Sequence, residues 1–343
     1  MEKNLKNYSL TELRELIESF RQKRFLADYL FSFIHHKHAV EWDAITPLPK
    51  AFRAELEKAG YSISDIRLAE QHDDPDGTTK FVFELADQCR IEAVRLKDDE
   101  RNTLCLSSQA GCRMGCLFCA TGQLAFERNL TAAEIVDQVY HAQNVCGRIS
   151  NVVYMGMGEP LDNLDNVLRS VELLNHTDGA NIGIRHITLS TCGLPQQIRQ
   201  LANAEIAPRL AISLHAANDE TRHKLMRVSQ KYPLTELIAA IKEYQQKTSR
   251  RVTIEYCLIS KINDSNDHAK QLIQKLKGIK LNVNLIELNP FPGCPFSPSS
   301  PERTRGFAQV LSDAGLETIV RYRRGRSILA ACGQLGATRL RPH

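Results

Sequence analysis

The chain has 343 residues, a formal charge of +4 and 43% hydrophobic residues, which suits one large domain plus a smaller one and shows no low-complexity tract or repeat. No apolar run reaches the length of a membrane span, and the opening MEKNLKNYSLTEL lacks the apolar core of a secretion signal. Ten cysteines in a long chain that reads as cytoplasmic point to metal ligands or catalytic thiols, not to a disulfide framework.

Residues 1–75 read as a small helical accessory domain. Ser9 and Glu12 have capping-box spacing, and Leu13, Leu16, Ile17 and Phe20 recur on one helical face. RFLADYLFSFIHH and PKAFRAELEKAG continue the pattern, the second closed by Gly60. His35, His36 and His38 are dense enough for metal, but on an accessory helix they read as surface residues. Gln71 to Lys80 is a turn rich in Asp, Pro and Gly. Two β-like runs, KFVFELAD and RIEAVRL, then make residues 76–100 a hairpin linking the accessory part to the main body.

From residue 101 to 343 strands and helices alternate. The predicted strands are TLCLSS, NVVYMGMG, RHITLST, RLAISLH, RVTIEYCLI, NVNLIEL and ETIVRY. Between them Thr131 and Glu134 form a second capping box. Leu164, Val167, Leu168 and Val171, and later Leu272, Ile273 and Leu276, keep the helical period. Repeated βα units predict an α/β fold with a parallel sheet closed into a partial or full barrel, its chemistry at the C-terminal ends of the strands. Basic stretches sit near both ends of the chain, RQKRF early and RYRRGR (Arg321 to Arg326) and TRLRPH late. They suit either phosphate or a solvated face.

The loop after the first barrel strand holds the densest chemistry, Cys112, Cys116 and Cys119 in the spacing C-x3-C-x2-C. Thiolates bind zinc and iron–sulfur clusters, and four ligands normally complete either site. Three ligands leave one position open to a substrate; the competing reading is a zinc knuckle closed by a distant His or Cys.

With Phe118 before its last cysteine, this spacing resembles the signature of radical S-adenosylmethionine enzymes. MGMGEPL, LSTCG, AISLHA, LNPFPG and AACGQL follow in order, and together with the cysteine loop they resemble the RlmN/Cfr family of RNA adenine methyltransferases. The resemblance implies a barrel of the radical S-adenosylmethionine type. Cys112, Cys116 and Cys119 would ligate one [4Fe–4S] cluster, whose fourth iron takes S-adenosylmethionine, two molecules being used per turnover. Gly158, Glu159, Ser190, Ser213, Leu214, His215 and Asn289 match the cosubstrate contacts. Taken alone, Gly156 and Gly158 fit a strand-end turn and His215 a hydrogen-bonded core histidine.

In the family the residue matching Cys332 is methylated, and the one matching Cys105 resolves the intermediate through a transient disulfide. Glu92 matches the proton acceptor, although Cys105 could take that role too. By itself Cys105 reads as a buried strand thiol and Glu92 as a solvated strand carboxylate. Cys89, Cys146, Cys192, Cys257 and Cys294 match no family role and read as structural thiols. The implied reaction is methylation of C2 of adenine 2503 in 23S ribosomal RNA, and of adenine 37 in transfer RNA, by a monomer with a flavodoxin- or ferredoxin-like electron donor. Pro160 and the intact NPFPG favour this C2 branch over the C8 branch. A rival of another class is a zinc-stabilised RNA-binding module without catalysis.

Overall fold

The computed structural model describes residues 3–98 and 101–340, so the last three residues of TRLRPH lie outside it. Its N-terminal part holds helices α1 (Leu10–Ser19), α2 (Leu26–His35) and α3 (Lys50–Lys58). The Ser9–Glu12 capping box is formed, and Gly60, at φ +84°, turns the chain away after α3. These helices are fused to the body by buried polar contacts. Lys6 forms an ion pair with Asp137, both fully buried, and Asn7 Oδ1 accepts a hydrogen bond from the Ala133 amide at 2.8 Å.

Three antiparallel strands follow, β1 (Ile66–Asp73), β2 (Thr79–Leu85) and β3 (Arg90–Lys97). The predicted hairpin thus gains a strand, β1, from the stretch read as helical, and the Asp-Pro-Gly turn shrinks to the residues between Asp73 and Thr79. Most of β1 is exposed, so it lacks the alternating apolar pattern that marks a strand. Nor is this meander a mere tether: β3 pairs with β4 (Asn102–Cys105), so one ten-stranded sheet runs through both parts.

The seven predicted barrel strands are all present. After β4, a short pair of β5 (Gln109–Ala110) and β6 (Arg128–Asn129) pins the two ends of the cysteine loop together. Then come α4 (Ala132–Cys146), β7 (Asn151–Tyr154), α5 (Leu164–Asn175), β8 (Ile187–Thr191), α6 (Pro195–Leu201) and β9 (Arg209–Ser213). Helices α7 (Asp219–Leu225) and α8 (Leu234–Thr248) lead to β10 (Val252–Leu258), α9 (Asn266–Lys275), β11 (Leu281–Glu287), α10 (Pro301–Asp313) and β12 (Thr318–Arg321).

Strands β4 and β7 to β12 are parallel neighbours in chain order, and among the described residues β12 does not pair back to β4. The barrel is therefore partial. Its central strands β8 to β10 are mostly buried on both faces, as a parallel sheet sheathed by helices requires, while the edge strand β12 is partly exposed.

Of the histidine cluster only His36 is exposed as expected. His35 is fully buried with Nδ1 2.8 Å from the Tyr140 hydroxyl on α4, and burial holds it well below the usual histidine range. His38 stacks on the same ring at 4.8 Å and is lowered to about 4 by burial. The stretch looks polar and exposed as a helix in isolation; the barrel helix it docks against buries it. No helix among the described residues is long and apolar enough to cross a membrane.

Candidate active site

The cysteine loop is shaped by hydrogen bonds from two sides. Leu117 N donates to Leu225 O at 2.9 Å, Ala120 N to Gly333 O at 2.7 Å, and Thr121 Oγ1 to Leu335 O at 2.7 Å. The end of α7 and the C-terminal segment thus hold the loop. Gly122 lies so close to Cys116 that a Cβ there would come within 2.7 Å of its carbonyl oxygen. Cys112, Cys116 and Cys119 are half-buried and line one cavity of about 160 Å³, an order of magnitude more than one water needs. Burial raises all three thiols, Cys112 to about 12, and for Cys116 the neighbouring Cys119 and Cys112 add to the rise.

The opposite wall comes from the C-terminal ends of the strands. Beyond β7, Gly156 passes under the Leu106 backbone, where a Cβ would lie 2.5 Å from the carbonyl oxygen. Gly158 has φ +95°, and a Cβ there would sit 2.5 Å from Gln109 Cβ. Both positions therefore exclude a side chain. Glu159 is buried. Its amide donates to Gln109 Oε1 at 2.8 Å, and its carboxylate accepts from Cys192 N at 2.8 Å and Leu161 N at 3.0 Å. Burial raises its pKa, and those amides oppose the rise.

Ser190 Oγ and Ser213 Oγ lie 3.3 Å apart across β8 and β9. His215, at φ +57°, accepts at Nδ1 from Cys257 N at 3.0 Å and is held at about 3 by burial. It is therefore neutral, with its proton on Nε2. Phe118 packs edge-on to it at 4.8 Å, joining the cysteine loop to this wall. Asn289 Nδ2 donates to Cys332 O at 3.1 Å, while its buried Oδ1 has no partner.

Cys332 reaches the cavity on the C-terminal segment. Gln334 Nε2 binds Pro290 O at 2.7 Å, and Arg339 Nη1 binds Arg90 O at 2.9 Å, so the segment is strapped across β3 and the end of β11. The Cys332 side chain opens into the cavity while protein surrounds it, which raises its thiol; Glu255 and Cys119 push the same way and Arg321 opposes them. Of the residues singled out from sequence, the three loop cysteines, Gly158, Glu159, Ser190, Ser213, His215, Asn289 and Cys332 share this cavity.

Three of the singled-out residues stand outside the lining. Leu214 is fully buried, its amide donating to Glu255 O at 3.0 Å. Cys105 is buried at the end of β4, its thiol raised by burial and then by the nearby Cys332. Glu92 is not the solvated carboxylate its strand suggests. It is buried on β3, accepts from Gly336 N at 3.2 Å, and faces Lys80 Nζ at 3.9 Å. The C-terminal segment covers it, a contact invisible in the local pattern. Burial raises its carboxyl against the pull of Lys80.

Several lining residues escaped the sequence reading, among them Glu255, Cys192 and Cys257. One signal was available, since an acidic residue in the middle of the apolar run RVTIEYCLI is anomalous for a strand buried on both faces. All ten cysteines are free.

The donor set has the chemistry of a cluster site. Among the described residues no group of three or more His, Cys, Asp and Glu side chains gathers to hold a metal ion; the three thiols instead face a shared cavity. Three thiols facing one cavity are the donor set a [4Fe–4S] cluster takes, with one iron left for another ligand. The unpartnered Asn289 Oδ1 and Glu255 Oε2 further mark the cavity as made for a polar molecule.

Comparison with known proteins follows the same division. Residues 106–273 match the family described as "Radical SAM superfamily", and residues 3–61 match "Ribosomal RNA large subunit methyltransferase N-terminal domain". The chain is 44% identical over 336 residues to "Dual-specificity RNA methyltransferase RlmN" of Syntrophobacter fumaroxidans, covering 97% of this chain and 98% of that one. It is likewise 44% identical to "Probable dual-specificity RNA methyltransferase RlmN" of Thermotoga neapolitana, covering 97% of each. The crystal structure of a radical SAM methyltransferase from Sphaerobacter thermophilus superposes with a TM-score of 0.94 at 42% identity, covering 97% of this chain and 99% of that one.

Proposed function

The chain belongs to the RlmN family of radical S-adenosylmethionine RNA methyltransferases, and from that membership we propose that it methylates C2 of adenine 2503 in 23S ribosomal RNA and of adenine 37 in transfer RNA. It is an enzyme that uses S-adenosylmethionine and an iron–sulfur cluster to modify RNA. The observation that carries the finer reading is Cys332. Its thiol, delivered by the C-terminal segment, lines the same cavity as the three loop thiols.

Adenine C2 lies between two ring nitrogens and is too electron-poor to displace a methyl group from a sulfonium. A thiolate is not, so Cys332 takes the methyl first, its proton leaving and S-adenosylhomocysteine departing. Cys112, Cys116 and Cys119 hold the [4Fe–4S] cluster, which when bound supplies the electron that cleaves a second S-adenosylmethionine, making two per turnover. Gly158, Glu159, Ser190, Ser213, the Leu214 backbone, His215 and Asn289 orient that molecule. The methyl carbon on Cys332, having given a hydrogen atom to the 5′-deoxyadenosyl group of that second cosubstrate, which leaves as 5′-deoxyadenosine, would bond to C2 of the base. Glu92 or Cys105 removes the C2 proton as one electron returns. Cys105 then attacks the Cys332 sulfur, releasing the methylated base and leaving a disulfide that an external thiol reduces.

An adenine must leave its stack to enter such a cavity, which costs least in a loop. Basic residues of the accessory helices and around Arg321 to Arg326 suit an RNA backbone. A monomer served by a flavodoxin- or ferredoxin-like donor in the reducing cytoplasm fits ten free thiols. The test is anaerobic purification followed by mass spectrometry of the chain and nucleoside analysis of reacted RNA. A methyl group on Cys332 and 2-methyladenosine are expected; 8-methyladenosine, or a zinc-loaded chain without iron, overturns the reading.

A further inference from the structure

The chemistry above leaves an acidic cavity residue, Glu255, without a task. Glu255 stands on β10 in register with Ser213 of β9 and Asn284 of β11, so the three side chains project from one face of the sheet. It is 3% exposed and lines the cavity. Asn284 Nδ2 donates to its Oε1 at 2.8 Å, which fixes the carboxylate plane, while Oε2 is buried with no partner. A buried oxygen without a partner is unfavourable, so the site is built for an incoming N–H or O–H donor.

Two donors could enter, the cosubstrate and the base. Glu159, already bonded to the Cys192 and Leu161 amides, stands among the residues assigned to the cosubstrate. Glu255 lines the cavity that Cys332 enters, and Arg321, Glu255 and Cys119 all act on the Cys332 thiol. Arg321 is in register with the cavity-lining Ile286 and so projects from the same face of the sheet. An acceptor beside a set of donors complements the edge of adenine, whose exocyclic amine donates next to an accepting ring nitrogen. A base with a carbonyl at that position presents the reverse order and meets the carboxylate oxygen with an acceptor.

We propose that Glu255 reads the exocyclic amine of the target adenine and is a specificity-determining residue of this enzyme. The inference rests on the adenine-methyltransferase reading above.

The experiment compares adenosine, purine riboside and inosine at the target position of a 23S ribosomal RNA fragment. Enzyme is first loaded with methyl at Cys332, the load is measured by protein mass spectrometry, and single-turnover rates are normalised to it. The wild-type chain should prefer adenosine over both analogues by ~10- to 100-fold, the worth of a hydrogen bond to a charged group. Glu255→Gln keeps an acceptor for Asn284 but turns an amide donor toward the base, so adenosine should slow ~10- to 100-fold and the gap to inosine should close or invert. Glu255→Ala should treat adenosine and purine riboside alike.

An adenosine-to-purine-riboside ratio unchanged in both variants overturns the proposal. So does loss of the Cys332 methyl in the variants alone, which would place Glu255 in the first stage. A wild-type chain that never acquires that methyl sinks the underlying methyltransferase reading instead.

Discussion

Glu92 accepts a hydrogen bond from the Gly336 amide at 3.2 Å, so a strand outside the barrel holds the segment that carries Cys332. A carboxylate here can act as a base, as an anchor, or as both. Glu92→Gln separates these, because an amide oxygen still accepts from Gly336 while no proton can be taken. Should Glu92 remove the C2 proton, turnover of bound RNA should fall at least ~100-fold with little change in KM. The ionised form is the active one, so the rate should fall as pH drops through its pKa. Burial raises that pKa, which places the acid limb above the ordinary 4.5. A near-normal rate in Glu92→Gln would leave the proton to Cys105.

Cys105→Ala removes the thiol that frees the product. RNA should then stay joined to Cys332 through the transferred carbon and migrate with the protein on a denaturing gel. Reductant should not release it, because the link is a thioether and not a disulfide. Free methylated RNA at the wild-type rate would exclude Cys105 as the resolving group.

Gly158→Ala meets two penalties and Gly147→Ala only one. Both glycines have positive φ, +95° and +74°, but a Cβ at Gly147 has nothing within 4 Å, whereas one at Gly158 collides with Gln109. Each substitution should cost about 1–2 kcal/mol from the backbone. Only Gly158→Ala should also weaken S-adenosylmethionine binding, read by anaerobic equilibrium dialysis, because the collision moves the Gly158–Glu159 turn. Equal affinity in the two variants would remove that turn from the binding site.

Asp137→Asn leaves Lys6 charged and buried without its counter-ion. About 3–5 kcal/mol of stability should be lost in urea titration. The double variant Lys6→Met with Asp137→Leu should recover most of it, since two apolar side chains need no partner. A loss under 1 kcal/mol in Asp137→Asn would show that water reaches the pair.

Much of the fold was readable because its signals are local. Both capping boxes and all seven barrel strands stand where short-range spacing puts them. Strand β1 was missed because its solvent-facing side chains carry no period, and its pairing with β2 depends on a turn that closes later. His35 reads as a surface residue in sequence because the Tyr140 that covers it lies 105 residues away.

The sequence by itself determined the order of strands and the cysteine loop, together with the polar residues at strand ends, since covalent spacing sets which side chains can share a turn or a rim. Tertiary structure alone decided that the chain end delivers Cys332 to that rim, that Glu92 is buried beneath Gly336, and that Glu255 keeps a free oxygen in the cavity. Burial and partnership belong to residues far apart in the chain, and only the closed sheet, with its C-terminal strap in place, brings them within bonding distance.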